Sequence, residues 1–228
     1  MKRLPAAFLP VLLSALVVPA VHAAPAPLGL GQVVILVGPP GSGKSVQARN
    51  LSRKYKVPVI SVAELAQRAM RGQGPARGGK PQVANSGELL SDEAAIELIS
   101  ARAGQADTGK GFILDGYPST EAQAKFLDSF LNTRALQAPK VVVLEVSDEI
   151  VRARMLKRKS VDDTPENIER RLQDYHKEES FLNSWYTPRN TVRIDGTKPA
   201  PQVFQEIEEG LVKVFDRKDF KERDTTQQ

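Results

Sequence analysis

Short runs of β-branched residues alternate along this chain with longer stretches in which apolar positions recur every three or four residues. The first pattern reads as strands and the second as helices. Strands are expected at 33–37, 58–61, 112–115, 141–146 and 192–195. Val141, Val142, Val143 and Leu144 are apolar in succession, so both faces of that strand are to be covered, as in the centre of a parallel sheet. Helices are expected at 43–55, 62–71, from Ser91 onward, and at 120–131, 149–158, 165–183 and 201–215. Ser91 suits an N-cap, and Asp92 and Glu93 fall in the first turn, where the helix dipole favours acids. Ala95, Ile96, Ile99 and Ala103 then share one face. Strand and helix in alternation imply an α/β fold around a parallel sheet. The stretch 73–83, with three glycines and two prolines, reads as a loop, and 217–228 as a polar tail. No internal repeat interrupts this order.

The N-terminus carries a different pattern. Lys2 and Arg3 precede an apolar run at 4–20, and Val21-His22-Ala23 then offers small residues at a cleavage position. This is the layout of a secretory signal peptide at 1–23, followed by an Ala/Pro/Gly-rich linker at 24–31 and a domain at 32–216. Pro5, Pro10 and Pro19 make the run a poor membrane-spanning helix, so no stable membrane anchor is expected. Export to a periplasm or outside the cell is the expectation, with the cytoplasm as the alternative. Removal of Lys2 and Arg3 lowers the net charge from +5 to +3, with 30 basic against 27 acidic residues. That balance is too mild for a nucleic-acid surface, and no Lys/Arg stripe stands out. It suits an anionic small molecule. The absence of cysteine excludes disulfides, thiolate metal sites and a cysteine nucleophile.

The chemistry is concentrated in Gly38-Pro39-Pro40-Gly41-Ser42-Gly43-Lys44-Ser45, which fits G-x-x-x-x-G-K-[ST]. Glycines let the backbone turn so that successive N–H groups point at phosphate oxygens, and the next helix adds its positive end. Lys44 is placed to reach the β- and γ-phosphates, and the Ser45 hydroxyl to ligate Mg²⁺. The motif lies directly after one expected strand and opens a helix, which is the context that makes it a phosphate cradle. A second strand ends in Asp115, followed by Gly116. A carboxylate at the C-terminal edge of a parallel sheet sits where ligands bind and can hold a metal-bound water, or it caps the strand end.

Further blocks accompany the P-loop in order: Ile60-Ser61, 87–92, Asp115-Gly116-Tyr117-Pro118 with Gln123, Arg154/Arg158, Asp162-Asp163 with Arg171, and Asp195-Gly196-Thr197-Lys198-Pro199. With these blocks the chain resembles the adenylate kinase family of nucleoside monophosphate kinases over most of 33–215. The resemblance implies a P-loop kinase fold with a five-stranded parallel sheet, a monophosphate-binding insertion at 62–91 and a short lid at 159–164. It implies that Gly41, Ser42, Gly43, Lys44, Ser45 and Val46 hold the ATP phosphates. Arg154, Arg158 and Arg171 match arginines that neutralise the donor and transferring phosphates, making them catalytic with Lys44. Lys198 matches a position whose backbone meets the donor adenine. On the acceptor side, Gln123 matches a glutamine that reads the adenine edge of AMP. Glu88, Leu89 and Leu90 match backbone contacts to that nucleotide, with Gly116, Tyr117, Pro118 and Arg171 beside it. Mg²⁺ bound by Ser45, and by Asp115 through water, is the implied cofactor, ATP and a monophosphate are the implied partners, and a monomer is expected.

Four positions depart from the family pattern. Ser119 and Gln67 stand where the family has acceptor-side arginines, Ser160 replaces a lid arginine, and Val62 replaces a hydroxyl residue. A hydrogen bond to a charged group contributes about 1.5–3 kcal/mol, so three such losses without replacement would weaken AMP binding or transfer severely. Arg68, Arg71 and Arg77 lie near the gap. Three readings follow: ATP:AMP phosphoryl transfer, transfer to another nucleoside monophosphate, or ATP binding without transfer.

Overall fold

A computed structural model of the chain describes residues 31–73, 90–158, 160 and 162–215. The strands are β1 (Gln32–Val37), β2 (Val59–Ser61), β3 (Gly111–Asp115), β4 (Lys140–Glu145) and β5 (Thr191–Asp195). They form one parallel sheet in the order β2-β3-β1-β4-β5. The helices are α1 (Lys44–Tyr55), α2 (Val62–Met70), α3 (Asp92–Ala103), α4 (Glu121–Thr133), α5 (Asp148–Arg158), α6 (Pro165–Trp185) and α7 (Ala200–Phe215).

Period-two alternation divides the core into two layers. From β1, Val33, Ile35 and Val37 enter one layer with α2, α3, α4 and α6, while Val34 and Leu36 enter the other with α1 and α7. From β4, Val141 and Val143 go to the first and Val142 and Leu144 to the second, as the continuous apolar run implies. Each such side chain contributes about 1.5–3 kcal/mol through removal from water. A smaller cluster of Val151, Met155, Ile168 and Leu172 fastens α5 to α6.

The sequence-based boundaries shift by a few residues. Pro58 precedes β2 although its carbonyl still accepts from Ile113 N–H at 2.9 Å, and Val146 falls past the end of β4. Two 3-10 turns, Ala106–Thr108 and Pro188–Asn190, lie outside the expected pattern. Ser91 caps α3, accepting from Ala94 N–H, but Leu98 joins the buried face while Ile96 is only partly buried. The expected signal peptide, the loop at 74–83 with Arg77, and the tail at 217–228 lie outside the described residues. Among the described residues no helix is long and apolar enough to cross a membrane.

This topology fixes where a ligand goes. After β1 the chain runs outward to β2, returns to β3 on one side of β1, then crosses to β4 on the other. The strand order therefore reverses at β1, and a crevice opens beyond its C-terminal end.

Candidate active site

The crevice is floored by the turn between β1 and α1. Gly38, Gly41 and Gly43 hold φ at 151°, 76° and 99°, a backbone that other residues adopt only with strain. At Gly38 a Cβ would also lie 2.8 Å from the Leu144 carbonyl oxygen and 2.9 Å from Ser42 Oγ, so β4 presses the turn shut. Lys44 folds back into the loop, and its Nζ donates to the carbonyls of Gly38 at 2.5 Å and Pro39 at 2.9 Å. Burial by the loop pulls the Lys44 pKa below its ordinary value, while the charges of Asp115 and Glu178 oppose that shift. Ser42 Oγ is buried in the same cradle without a hydrogen-bond partner among the described residues. A buried hydroxyl left unpaired costs free energy that an incoming phosphate oxygen recovers.

The register of β1 and β3 places Asp115 opposite Leu36, at the sheet edge that faces α1. There Ser45 Oγ donates to Asp115 Oδ2 at 2.7 Å. A hydroxyl and a carboxylate so close are a pair of hard oxygen donors, which fits Mg²⁺ bound by few protein ligands plus phosphate and water. Among the described residues no three His, Cys, Asp or Glu cluster around a metal position.

The side expected to take the donor opens between α1 and α5 as a cavity of about 450 Å³ lined by Gly43, Lys44, Ser45, Val46, Arg49, Arg154 and Arg158. Arg154 reaches across to the β5–α7 loop and donates to the carbonyls of Gly196 at 3.0 Å and Thr197 at 3.2 Å. Lys198 follows in that loop, its ammonium paired with Glu206 at 2.8 Å. Arg158 makes a two-pronged ion pair with Asp163, both bonds at 2.7 Å, and Arg171 approaches the same carboxylate at 3.4 Å. Asp163 thus gathers both arginines beside the P-loop. Its side chain is 1% exposed, and the Arg158 hydrogen bonds hold its pKa below the usual carboxylate range.

The side expected to take the acceptor is less simple. Gly116, Tyr117 and Pro118 line a second cavity of about 300 Å³ with Arg171, and the Tyr117–Pro118 peptide is cis. Gln123 is buried with its amide engaged inside the protein: Nε2 donates to Asp92 Oδ1 at 2.8 Å, and Oε1 accepts from Ser119 N–H at 2.8 Å and Ser119 Oγ–H at 3.1 Å. The serine that replaces the expected arginine therefore anchors the expected base-reading glutamine. Gln67 and Arg68 are both exposed on α2, and Val62 packs on the first core layer with Leu90. Glu88 and Leu89 lie outside the described residues, and Ser160 accepts from Asp163 N–H through its carbonyl at 2.9 Å.

Three residues of this region escape the sequence reading of roles: Asp163, Asp92 and Glu178. Only Glu178 has a local signal, helical spacing. Arg171, Asp174, Glu178 and Leu182 recur at three or four residues along α6, one face that the structure turns to the second cavity.

Comparison with known proteins agrees with this geometry. The family model described as adenylate kinase matches residues 36–191. The chain is 36% identical over 183 residues to the adenylate kinase of Xanthomonas campestris pv. campestris strain B100, covering 78% of this chain and 98% of that one. It is likewise 36% identical over 179 residues to adenylate kinase 1 of Nostoc sp. strain PCC 7120, covering 78% and 97%. With the P-loop, the parallel sheet order and the converging arginines in place, this chain belongs to the adenylate kinase family.

Proposed function

We propose that the protein transfers the γ-phosphoryl group of ATP to AMP, giving two ADP. The observation that carries this is the convergence on one crevice of the P-loop, the Ser45–Asp115 pair and three arginines, in a chain of the adenylate kinase family. The roles of individual residues are our reading of that convergence.

The donor triphosphate lies along the backbone amides of 41–46, with Lys44 leaving its two loop carbonyls to meet the β- and γ-phosphates. Arg154 and Arg158 flank the transferring group from α5, and Arg171 lies between the two cavities. An oxygen of the acceptor phosphate forms a bond to the γ-phosphorus as the bridging bond to the β-phosphate breaks. Charge passes from one bridging oxygen to the other and no covalent enzyme intermediate is required. Ser45, and Asp115 through water, would hold Mg²⁺, which when bound would neutralise charge on the donor phosphates. Gly116, Tyr117, Pro118 and Leu90 border the acceptor, with Gln123 behind them. Catalysis comes from position and from charge gathered around the transferring group.

A coupled assay with Mg-ATP and AMP, GMP, CMP or UMP in turn tests the proposal, with ATP binding measured in parallel. Turnover with AMP is expected. A second acceptor reading is favoured by the engagement of the Gln123 amide with Ser119 and Asp92; turnover confined to another monophosphate would select it. ATP binding without turnover would reject transfer altogether. We also propose export of the mature protein, on the leader pattern at 1–23; mass spectrometry of its N-terminus is expected to find Ala24 first, and an intact Met1 would overturn export.

A further inference from the structure

The two cavities that share Lys44 differ in charge. The donor cavity carries Lys44, Arg49, Arg154 and Arg158, with no carboxylate among its described lining residues. The second carries Lys44 and Arg171 together with Asp174 and Glu178. Its lining therefore sums to +1 when Glu178 is protonated and to zero when it is ionised.

Glu178 lies on α6, four residues after Asp174 and seven after Arg171, so all three look out from one face of the helix. Among the described residues no group hydrogen-bonds its carboxylate. The charged groups facing it are Lys44 from the P-loop and Arg171 and Asp174 from its own helix, with the phenols of Tyr117 and Tyr175 beside them. Burial raises both phenols above the ordinary range, so they stay neutral through neutral pH.

We propose that Glu178 is a specificity-determining residue of the acceptor cavity, which admits a phosphomonoester dianion together with one proton carried on Glu178. This rests on the acceptor being a nucleoside monophosphate. An ionised carboxylate facing a dianionic phosphate in a partly desolvated cavity is strongly unfavourable. A neutral carboxyl instead donates a hydrogen bond to a phosphate oxygen. It thereby supplies a donor in a chain whose positions 67 and 119 hold glutamine and serine. The environment keeps this switch near neutrality: burial pushes the Glu178 pKa up to about 7, with Lys44 opposing and Asp174 adding to the rise.

The sign follows from linkage. The proton is already present below the free-enzyme pKa and must be taken up above it, so AMP binding weakens by about tenfold per pH unit on the alkaline side. The second ionisation of a phosphomonoester lies near pH 6, so AMP itself changes little there. The full-length mature protein is assayed from pH 6 to 8.5, with KM for AMP and for ATP measured separately. Between pH 7 and 8.5 the KM for AMP is expected to rise about fifteenfold while that for ATP stays level; titration of Lys44 would move both. Glu178→Gln, a neutral donor at every pH, is expected to flatten the AMP profile between pH 7 and 8.5. Asp174→Asn is expected to shift the break to lower pH. Calorimetry of AMP binding at pH 8 in buffers of different ionisation enthalpy is expected to show uptake of about one proton by the wild type and none by Glu178→Gln. A flat wild-type profile, or a slope that survives Glu178→Gln, overturns the inference while leaving the kinase reading intact. Failure to bind or turn over AMP at any pH overturns both.

Discussion

Lys44 shows how much one residue does in this crevice. Its ammonium is held by two carbonyls of its own loop, desolvated, and balanced by Asp115 and Glu178 across the gap. In the proposed reaction Lys44→Ala removes the charge that meets the transferring phosphate, and activity is expected to fall by about two to three orders of magnitude. The core is untouched, so thermal unfolding should stay near that of the wild type; full activity in this variant would remove Lys44 from the mechanism. Ser119 works differently, through Gln123. Replacing it with arginine retains the backbone N–H that Gln123 Oε1 accepts, loses the hydroxyl contact, and adds a cation beside the acceptor. Ser119→Arg is expected to raise kcat/KM for AMP by about tenfold or more, measured in the same coupled assay. No change would mean that another basic residue already meets the acceptor phosphate.

At the scale of elements, close contact between helix and sheet sets the tolerances. Gly210 lies within α7 where the helix crosses β5, and a Cβ there would fall 2.2 Å from Val192 Cγ1. Alanine is ordinarily favoured over glycine inside a helix by about 1 kcal/mol, but the overlap costs about 1–3 kcal/mol. Gly210→Ala is therefore expected to lower the melting temperature by several degrees; a rise would show that α7 shifts freely on the sheet. The same scale explains what is legible in sequence. The P-loop reads directly because its eight residues are contiguous and their chemistry is local. The sheet reads almost as well, since the unbroken apolar run at 141–144 declares two covered faces and the structure supplies both. The bond between Gln123 and Asp92 spans 31 residues and depends on how α3 and α4 are rotated against each other. The clasp of Asp163 on Arg158 and Arg171 likewise depends on the angle between α5 and α6. No local pattern carries that information.

For the molecule as a whole, the division into two cavities is the organising fact. Most residues expected from sequence to meet the donor lie on the wall of the cavity between α1 and α5 or beside it, although Ser160 stands where the family has a lid arginine. On the side expected to take the acceptor, Ser119 and Gln67 depart from the family pattern, and only the structure shows that Ser119 holds Gln123 and that α6 contributes a carboxylate. Between α5 and α6 the chain has only six residues, 159–164, where the family resemblance places the lid. So short a connection offers bulk solvent a route to the γ-phosphorus that a longer cover would close. Without an acceptor present, the enzyme is expected to leak, releasing inorganic phosphate from ATP at a slow but measurable rate.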